Sequence, residues 1–195
     1  MSKKPLIRLL ACSVLEKEIR MLQQNQELPY SVEYIDSMYH MHPVQLEEAL
    51  KQKLHPTEIK AERTVLIFGE CHAHMDTMEK RTVARTRGMN CIEVILGKER
   101  YRQLRKEGAF FLLPEWAERW RQVFVEELGL NEGNARMFMK EMHQKLIYLD
   151  TGVTPVPNQL LLEIAAFTGL PVEIATVKLD QLLASVQEAV KEVSQ

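Results

Sequence analysis

The sequence predicts an α/β protein with a mostly parallel, Rossmann-like sheet in three layers and helices on both faces. Short apolar runs alternate along the chain with segments of helical periodicity, the pattern of strands joined by helical crossovers. Helix-start signals follow two of these runs, at Ser13 and at Pro43. The length of 195 residues predicts one α/β domain spanning residues 1–195, and 46% apolar residues suffice for its core.

Seven short runs predict the strands. Most are continuous apolar runs, whereas residues 31–36 alternate between polar and apolar side chains. The run at 91–96 is a fourth apolar run, and Cys91 lies at its start or just after the loop that follows Gly88. The predicted strands are 6–11, 31–36, 63–68, 91–96, 110–113, 146–149 and 172–175.

The helices are predicted from their caps and from apolar residues at helical spacing. Ser13 and Glu16 form a capping-box pattern, Pro43 and Pro114 suit first helical positions, and Gly169 suits the end of a helix. The predicted helices are 13–22, 43–54, 77–88, 98–106, 114–124, 134–143, 158–168 and 178–193.

Composition excludes several classes of function. With 25 basic and 27 acidic residues, the chain has no electrostatic footprint for nucleic acid or for an anionic membrane. No apolar run reaches the roughly 18 residues of a membrane-spanning helix, so a cytoplasmic location is expected. Three cysteines in a reducing compartment argue against a disulfide framework. No glycine-rich fingerprint or nucleophile elbow follows a strand, which excludes the usual dinucleotide, P-loop and hydrolase motifs.

The cysteines fall where an α/β sheet places its ligands. Cys12 follows the first strand and Cys71 follows the third, and in the commonest strand orders these two strands are neighbours. Cys12 also precedes a helix, whose positive end would favour a thiolate. Periodicity leaves open whether Cys91 joins them or points away. Taken singly, each cysteine fits a small buried hydrophobe.

Histidines accompany the cysteines at this edge. His40 and His42 follow the second strand, and His72 and His74 follow Cys71. Thiols and imidazoles together suit zinc, iron or an iron–sulfur cluster, although there is no CxxC or HExxH pattern. The predicted rim of possible ligands comprises Cys12, His40, His42, Cys71, His72 and His74.

Other side chains have a functional and a structural interpretation. Glu93 would share a strand face with Cys91, where a buried carboxylate needs a partner. Trp116 and Trp120 could stack on a flat cofactor, but a core-facing aromatic stripe is the preferred interpretation. His55 and His143 are expected at the surface. A basic cluster is expected on the solvated face of the helix at 77–88 and comprises Lys80, Arg81, Arg85 and Arg87.

Five segments resemble an uncharacterised family, the domain of unknown function number 1638. They are "LLACSVLEKEI", "SMYHMHPVQLEEAL", "IFGECHAHMD", "GMNCIEVILGKERY" and "FFLLPEWAERW", and the resemblance runs from residue 6 to residue 149. The family is frequent in methanogens and other anaerobes and is often encoded beside corrinoid-dependent methyltransferases. The positions that carry over are Cys12, His40, Pro43, Gly69, Cys71, Cys91 and Glu93, with His72 matching one branch and His74 without a counterpart.

The residues and the resemblance together lead to one functional hypothesis. Cys12, Cys71 and Cys91 would bind zinc or an iron–sulfur cluster, with His72 as a further ligand and with His40 or Glu93 as a ligand or acid/base. The resemblance implies a role in corrinoid-linked methyl or one-carbon metabolism, with a corrinoid protein or methyltransferase as partner. The alternative is a non-catalytic module that binds a corrinoid or another small ligand for a methyltransferase. A third possibility is metal-free thiol chemistry at Cys12.

Overall fold

The computed structural model describes residues 6–54 and 62–195, and His55 lies outside them. Within these ranges, no helix has both the length and the apolar character needed to cross a bilayer. The strands are β1 Leu6–Cys12, β2 Ser31–Ile35, β3 Glu62–Ile67, β4 Val83–Arg85, β5 Ala109–Leu112, β6 Lys145–Asp150 and β7 Val172–Thr176. The α-helices are α1 Glu16–Gln24, α2 Pro43–Lys53, α3 Cys91–Leu96, α4 Lys98–Lys106, α5 Pro114–Glu118, α6 Ala135–Met142, α7 Asn158–Thr168 and α8 Asp180–Ser194.

The chain forms two compact units, each with its own parallel sheet. The first unit contains the described residues up to Gly97 together with Leu179–Gln195, and the second contains Lys98–Lys178. The first sheet has the order β2-β1-β3-β4 and the second the order β5-β6-β7. Parallel strands joined by helices confirm the α/β class, but the strands divide between two sheets where one was expected. The single domain over residues 1–195 stays a prediction.

In the first sheet, β1 pairs with both β2 and β3, and the predicted neighbouring positions of β1 and β3 are confirmed. Cys12 lies opposite Ile35 of β2, and Ala11 lies opposite Ile67 of β3. The carboxyl ends of the three strands are therefore level, so the segments that follow them start at one edge of the sheet. Leu9, Leu66 and the residues around them are fully buried and form the core beneath this edge.

The C-terminal helix completes the first unit. α8 packs against β3, β4 and α3, and its Leu182 and Val186 are fully buried. Arg87 donates from Nη2 to Glu192 of this helix at 3.2 Å. The last 17 residues of the given sequence thus belong to the same compact unit as the first sheet.

Two predictions in the first unit, for residues 77–88 and 91–96, are wrong. Residues 91–96 form the helix α3, and residues 77–88 hold a short 3₁₀ turn and the strand β4 in place of a helix. Arg85 consequently lies in a strand, is buried and pairs with Glu79, with Nε 3.3 Å from the carboxylate. The expectation of a solvated basic helix face is therefore wrong.

The second unit has an aromatic and aliphatic core between its sheet and its helices. Trp120 and Phe124 are buried in it, which confirms the core interpretation for Trp120, and Trp116 is partly buried. The imidazole of His143 packs edge-on against Phe110, so this histidine is half-buried where an exposed one was expected. The core comprises Leu112, Ala117, Trp120, Phe124, Leu130, Ala135, Met139, Leu146, Tyr148, Leu161, Ile164 and Leu170.

Tyr34 of β2 carries a hydroxyl that is buried without a hydrogen-bond partner. Burial raises the pKa of this phenol to about 12. A buried unpaired hydroxyl costs roughly 1 to 3 kcal/mol, so Tyr34→Phe is expected to stabilise the protein by about 1 kcal/mol. Urea unfolding followed by circular dichroism measures the change. Tyr30→Phe is the control and should have almost no effect; a loss of stability in Tyr34→Phe would contradict the prediction.

Candidate metal-binding site

The three cysteines come from three separate segments at the edge of the first sheet, and their sulfurs form a row through Cys91 that is not a group of three within 4.8 Å of one another. Cys12 ends β1, Cys71 lies in the loop after β3, and Cys91 is the first residue of α3. The thiol of Cys91 is hydrogen-bonded to those of Cys12 and Cys71, and Cys71 is hydrogen-bonded to the imidazole of His40. All three thiols are free, and Cys12 and Cys91 are buried. We call Cys12, Cys71, Cys91 and His40 the thiol cluster.

Gly69 allows the Cys71 loop to approach the start of α3. A Cβ atom on Gly69 would lie 2.1 Å from the Cα of Asn90, where no side chain can fit. The backbone N–H of Gly69 donates to the sulfur of Cys91, and the N–H of Glu70 donates to the carbonyl of Met89 at 3.1 Å. Backbone against backbone contact thus holds Cys71 and Cys91 together.

The turn before Cys91 is fixed by two side chains. Asn90 caps α3, because its Oδ1 accepts from the N–H of Glu93 at 2.9 Å. Glu93 in turn accepts from the N–H of Met89 through Oε2 at 3.1 Å. This is close to a capping box, and it satisfies donors that a helix start leaves unpaired. The expectation that Glu93 lies on a strand is wrong, and its role as ligand or acid/base stays a prediction.

His40 reaches the cluster from the 3₁₀ turn Ser37–Met41 after β2. Asp36 begins this turn by accepting from the N–H of Met38 at 3.0 Å. The N–H of Ser37 donates to the hydroxyl of Ser13 at 2.8 Å, which links the turn to the residue after Cys12. The capping box predicted at Ser13 is therefore replaced by a bond between the segments that follow β1 and β2.

The hydrogen bonds between the thiols run in one direction, from Cys71 to Cys91 and from Cys91 to Cys12. The pKa of Cys71 is raised because its thiol donates to Cys91 and because the group is buried. The pKa of Cys91 is raised because its thiol donates to Cys12 and because it is fully buried. Cys71 and Cys91 are therefore neutral thiols at physiological pH in the metal-free protein. A cation that binds them must displace their protons, as is usual for thiolate ligands.

A second group of ligand atoms lies beside the thiol cluster. Within residues 6–54 and 62–195, one group of three ligand atoms lies within 4.8 Å of one another, and it consists of Glu47, His72 and His74. We call it the histidine–carboxylate cluster. Its His72 follows Cys71 in the chain, but its imidazole faces Glu47. The role of His72 as a ligand beside the cysteines stays a prediction.

Sequence reasoning missed Glu47. It is one of several polar residues in the middle of α2, and no short motif connects it to histidines 25 or more positions away. His74 was among the candidate rim residues. The sequence holds no signal that assigns a carboxylate partner to His74, because the pairing depends on how α2 packs over the Cys71 loop.

The fold and the site define a class of protein. It is an α/β protein with cysteine and histidine side chains at the edge of a parallel sheet. Residues 34–186, more than half of the chain, match the family described as Protein of unknown function (DUF1638), and the chain belongs to that family. The match includes His40, Cys71 and Cys91. No curated protein and no solved structure matches the chain.

Proposed function

We propose that the protein binds a thiophilic metal, zinc or the iron of an iron–sulfur cluster, through Cys12, Cys71 and Cys91. The observation that carries this proposal is the serial contact of three free thiols that come from three segments. Thiolate sulfur is a common ligand of zinc and the usual ligand of iron–sulfur clusters. His40, in contact with Cys71, is the fourth ligand or an acid/base at the open side.

The donor set determines what the metal would supply. Three thiolates leave a fourth coordination position on zinc for a substrate, and a metal-bound thiol or water is more acidic than a free one. His40 is an exposed residue, so it is placed to exchange protons with solvent while it contacts Cys71. We infer a role in methyl or one-carbon metabolism linked to corrinoids, in the cytoplasm, with a corrinoid protein or a methyltransferase as partner. This part rests on the family resemblance.

Single substitutions of the cysteines test the proposal. Protein purified without oxygen is expected to carry zinc or iron, and Cys12→Ser, Cys71→Ser and Cys91→Ser should each lose most of it. Removal of a direct ligand weakens metal binding by more than the roughly tenfold to hundredfold that a supporting residue contributes. The measurement combines metal and sulfide analysis with an absorption spectrum. Zinc without colour indicates thiol activation, and iron with sulfide indicates a cluster.

His42→Ala is the matched control for His40→Ala. Both histidines are exposed and flank Met41, but the contact with Cys71 belongs to His40. Metal content that is unchanged in all three folded serine variants would overturn the proposal. Corrinoid that copurifies with metal-free protein would instead favour the binding module, and selective alkylation of Cys12 at neutral pH would favour metal-free thiol chemistry.

A further inference from the structure

The histidine–carboxylate cluster has the chemistry of a second cation site. We propose that Glu47, His72 and His74 bind a divalent first-row transition metal ion, separately from the thiol cluster. Two imidazoles and one carboxylate are a ligand set that suits zinc and iron(II) and leaves coordination positions open. The inference stands independently of the proposed function of the cysteines.

The distances are close to those of a coordinated ion. Oε2 of Glu47 lies 3.0 Å from Nδ1 of His74 and 4.0 Å from Nδ1 of His72. Ligand atoms about 2.0 to 2.2 Å from one metal ion are separated from each other by roughly 3 to 3.5 Å. All three ligand atoms lie within 4.8 Å of one another, so movements of roughly 1 to 2 Å would bring one oxygen and two nitrogens around a common ion.

The buried member of the cluster lacks a partner. The side chain of His72 is 2% exposed, and its Nδ1 accepts from the N–H of His74 at 3.1 Å, which leaves the proton on Nε2. Nε2 is buried and has no hydrogen-bond partner. Buried imidazoles that bind metals use one ring nitrogen as ligand and give the other to an acceptor. Binding of an ion through Nδ1 would replace the bond from the N–H of His74, and Nε2 keeps its proton without an acceptor among the described residues.

The carboxylate is held in position and kept ionised. Lys51, one turn further along α2, binds Oε1 of Glu47, so that Oε2 faces the two histidines. Hydrogen bonds from Lys51 and His74 lower the pKa of Glu47 to about 2. Lys51 neutralises part of the charge, which favours an ion that imidazole nitrogen binds well over calcium or magnesium.

The open side of the site faces solvent. The side chain of His74 is 62% exposed and that of Glu47 is 20% exposed, while His72 closes the site from the protein side. An ion here would keep positions for water or a small ligand, as catalytic sites do and closed structural sites do not.

Titration of the metal-free protein with Co²⁺ tests the second site. Thiolate ligands give cobalt an intense near-ultraviolet charge-transfer band, and nitrogen and oxygen ligands do not, so the two sites are distinguished in one spectrum. Besides any Co²⁺ that gives this band at the cysteines, we expect the wild-type chain to bind one further Co²⁺ that adds nothing to the band. Glu47→Gln and His74→Ala should each weaken this binding by more than about tenfold and leave the thiolate band unchanged.

Glu48→Gln and His42→Ala are the matched controls, because both residues are exposed neighbours outside the cluster. They should bind Co²⁺ like the wild type. The proposal is overturned if the wild type shows no binding apart from the thiolate band, or if Glu47→Gln and His74→Ala bind Co²⁺ with unchanged affinity. If the wild type binds Co²⁺ at Glu47, His72 and His74 but shows no thiolate band, the result contradicts metal binding by the thiol cluster and supports the second site.

Discussion

Gly69→Ala is expected to destabilise the first unit by about 3 kcal/mol or more and to separate Cys71 from Cys91. The added methyl group would lie 2.1 Å from the Cα of Asn90 and 2.5 Å from its backbone N and C. Backbone atoms cannot rotate away as a flexible side chain does, so either the Cys71 loop or the start of α3 must move. The same movement breaks the bond from the N–H of Gly69 to the sulfur of Cys91.

Unfolding in urea followed by far-ultraviolet circular dichroism measures this change, and metal content gives a second readout. Tryptophan fluorescence is the wrong probe, because both tryptophans lie in the second unit. Gly133→Ala is the control: the nearest atom to its added Cβ is the side-chain Oδ1 of Asn131 at 3.2 Å. Its effect should stay below about 1 kcal/mol. Equal free energies of unfolding for Gly69→Ala and the wild type would show that the close contact between Gly69 and Asn90 does not stabilise the fold.

The first half of the fold was predictable because its strands are clear in the local pattern. The runs at 6–11, 31–36 and 63–68 match β1, β2 and β3 to within one residue at either end. Their alternation with capped helices also gave the neighbouring positions of β1 and β3. Hydrophobic periodicity and helix caps are local signals, and they are sufficient where strand and helix differ in period.

The strand predicted at residues 91–96 was wrong because the helix found there, α3, is buried on almost every side. Five of the six residues in Cys91–Leu96 are buried, so no polar face reveals a helical period. The available signal was Asn90 followed by Glu93, a capping pattern at the start of the run. β4 has three residues, all buried, which is too short for any periodicity. The division into two sheets depends on pairing between distant segments, and no local pattern specifies it.

The candidate site was predictable to the extent that it follows strand ends. Cys12 and Cys71 were expected to be neighbours because β1 and β3 were, and their thiols both contact Cys91. Cys91 joins them from the start of a helix, where a strand was expected. Glu47 could not be predicted, because its neighbours are set by how α2 packs over the Cys71 loop.

The metal-free protein is expected to lose stability as the pH rises above about 8.5, the pKa of a thiol in an unfolded chain. The pKa values of Cys71 and Cys91 are raised in the folded state, so both keep their protons at a pH where the unfolded chain releases them. The unfolded state then binds fewer protons, and the free energy of unfolding falls with pH. The slope is about 1.4 kcal/mol per pH unit for each thiol that stays protonated.

Urea unfolding at several values between pH 7.5 and 9.5, in the presence of a chelator, measures this slope. The upper limit matters, since Tyr34 and Lys145 also have raised pKa values and affect stability at higher pH. Cys91→Ala should remove more than half of the slope, because one of the two thiols is gone and Cys71 loses the hydrogen bond that contributes most to its raised pKa. Stability that is flat across this range would mean that the thiols ionise in the folded state as they do in the unfolded chain. Zn²⁺ should abolish the slope if the cysteines bind it, because bound thiolates carry no proton to lose.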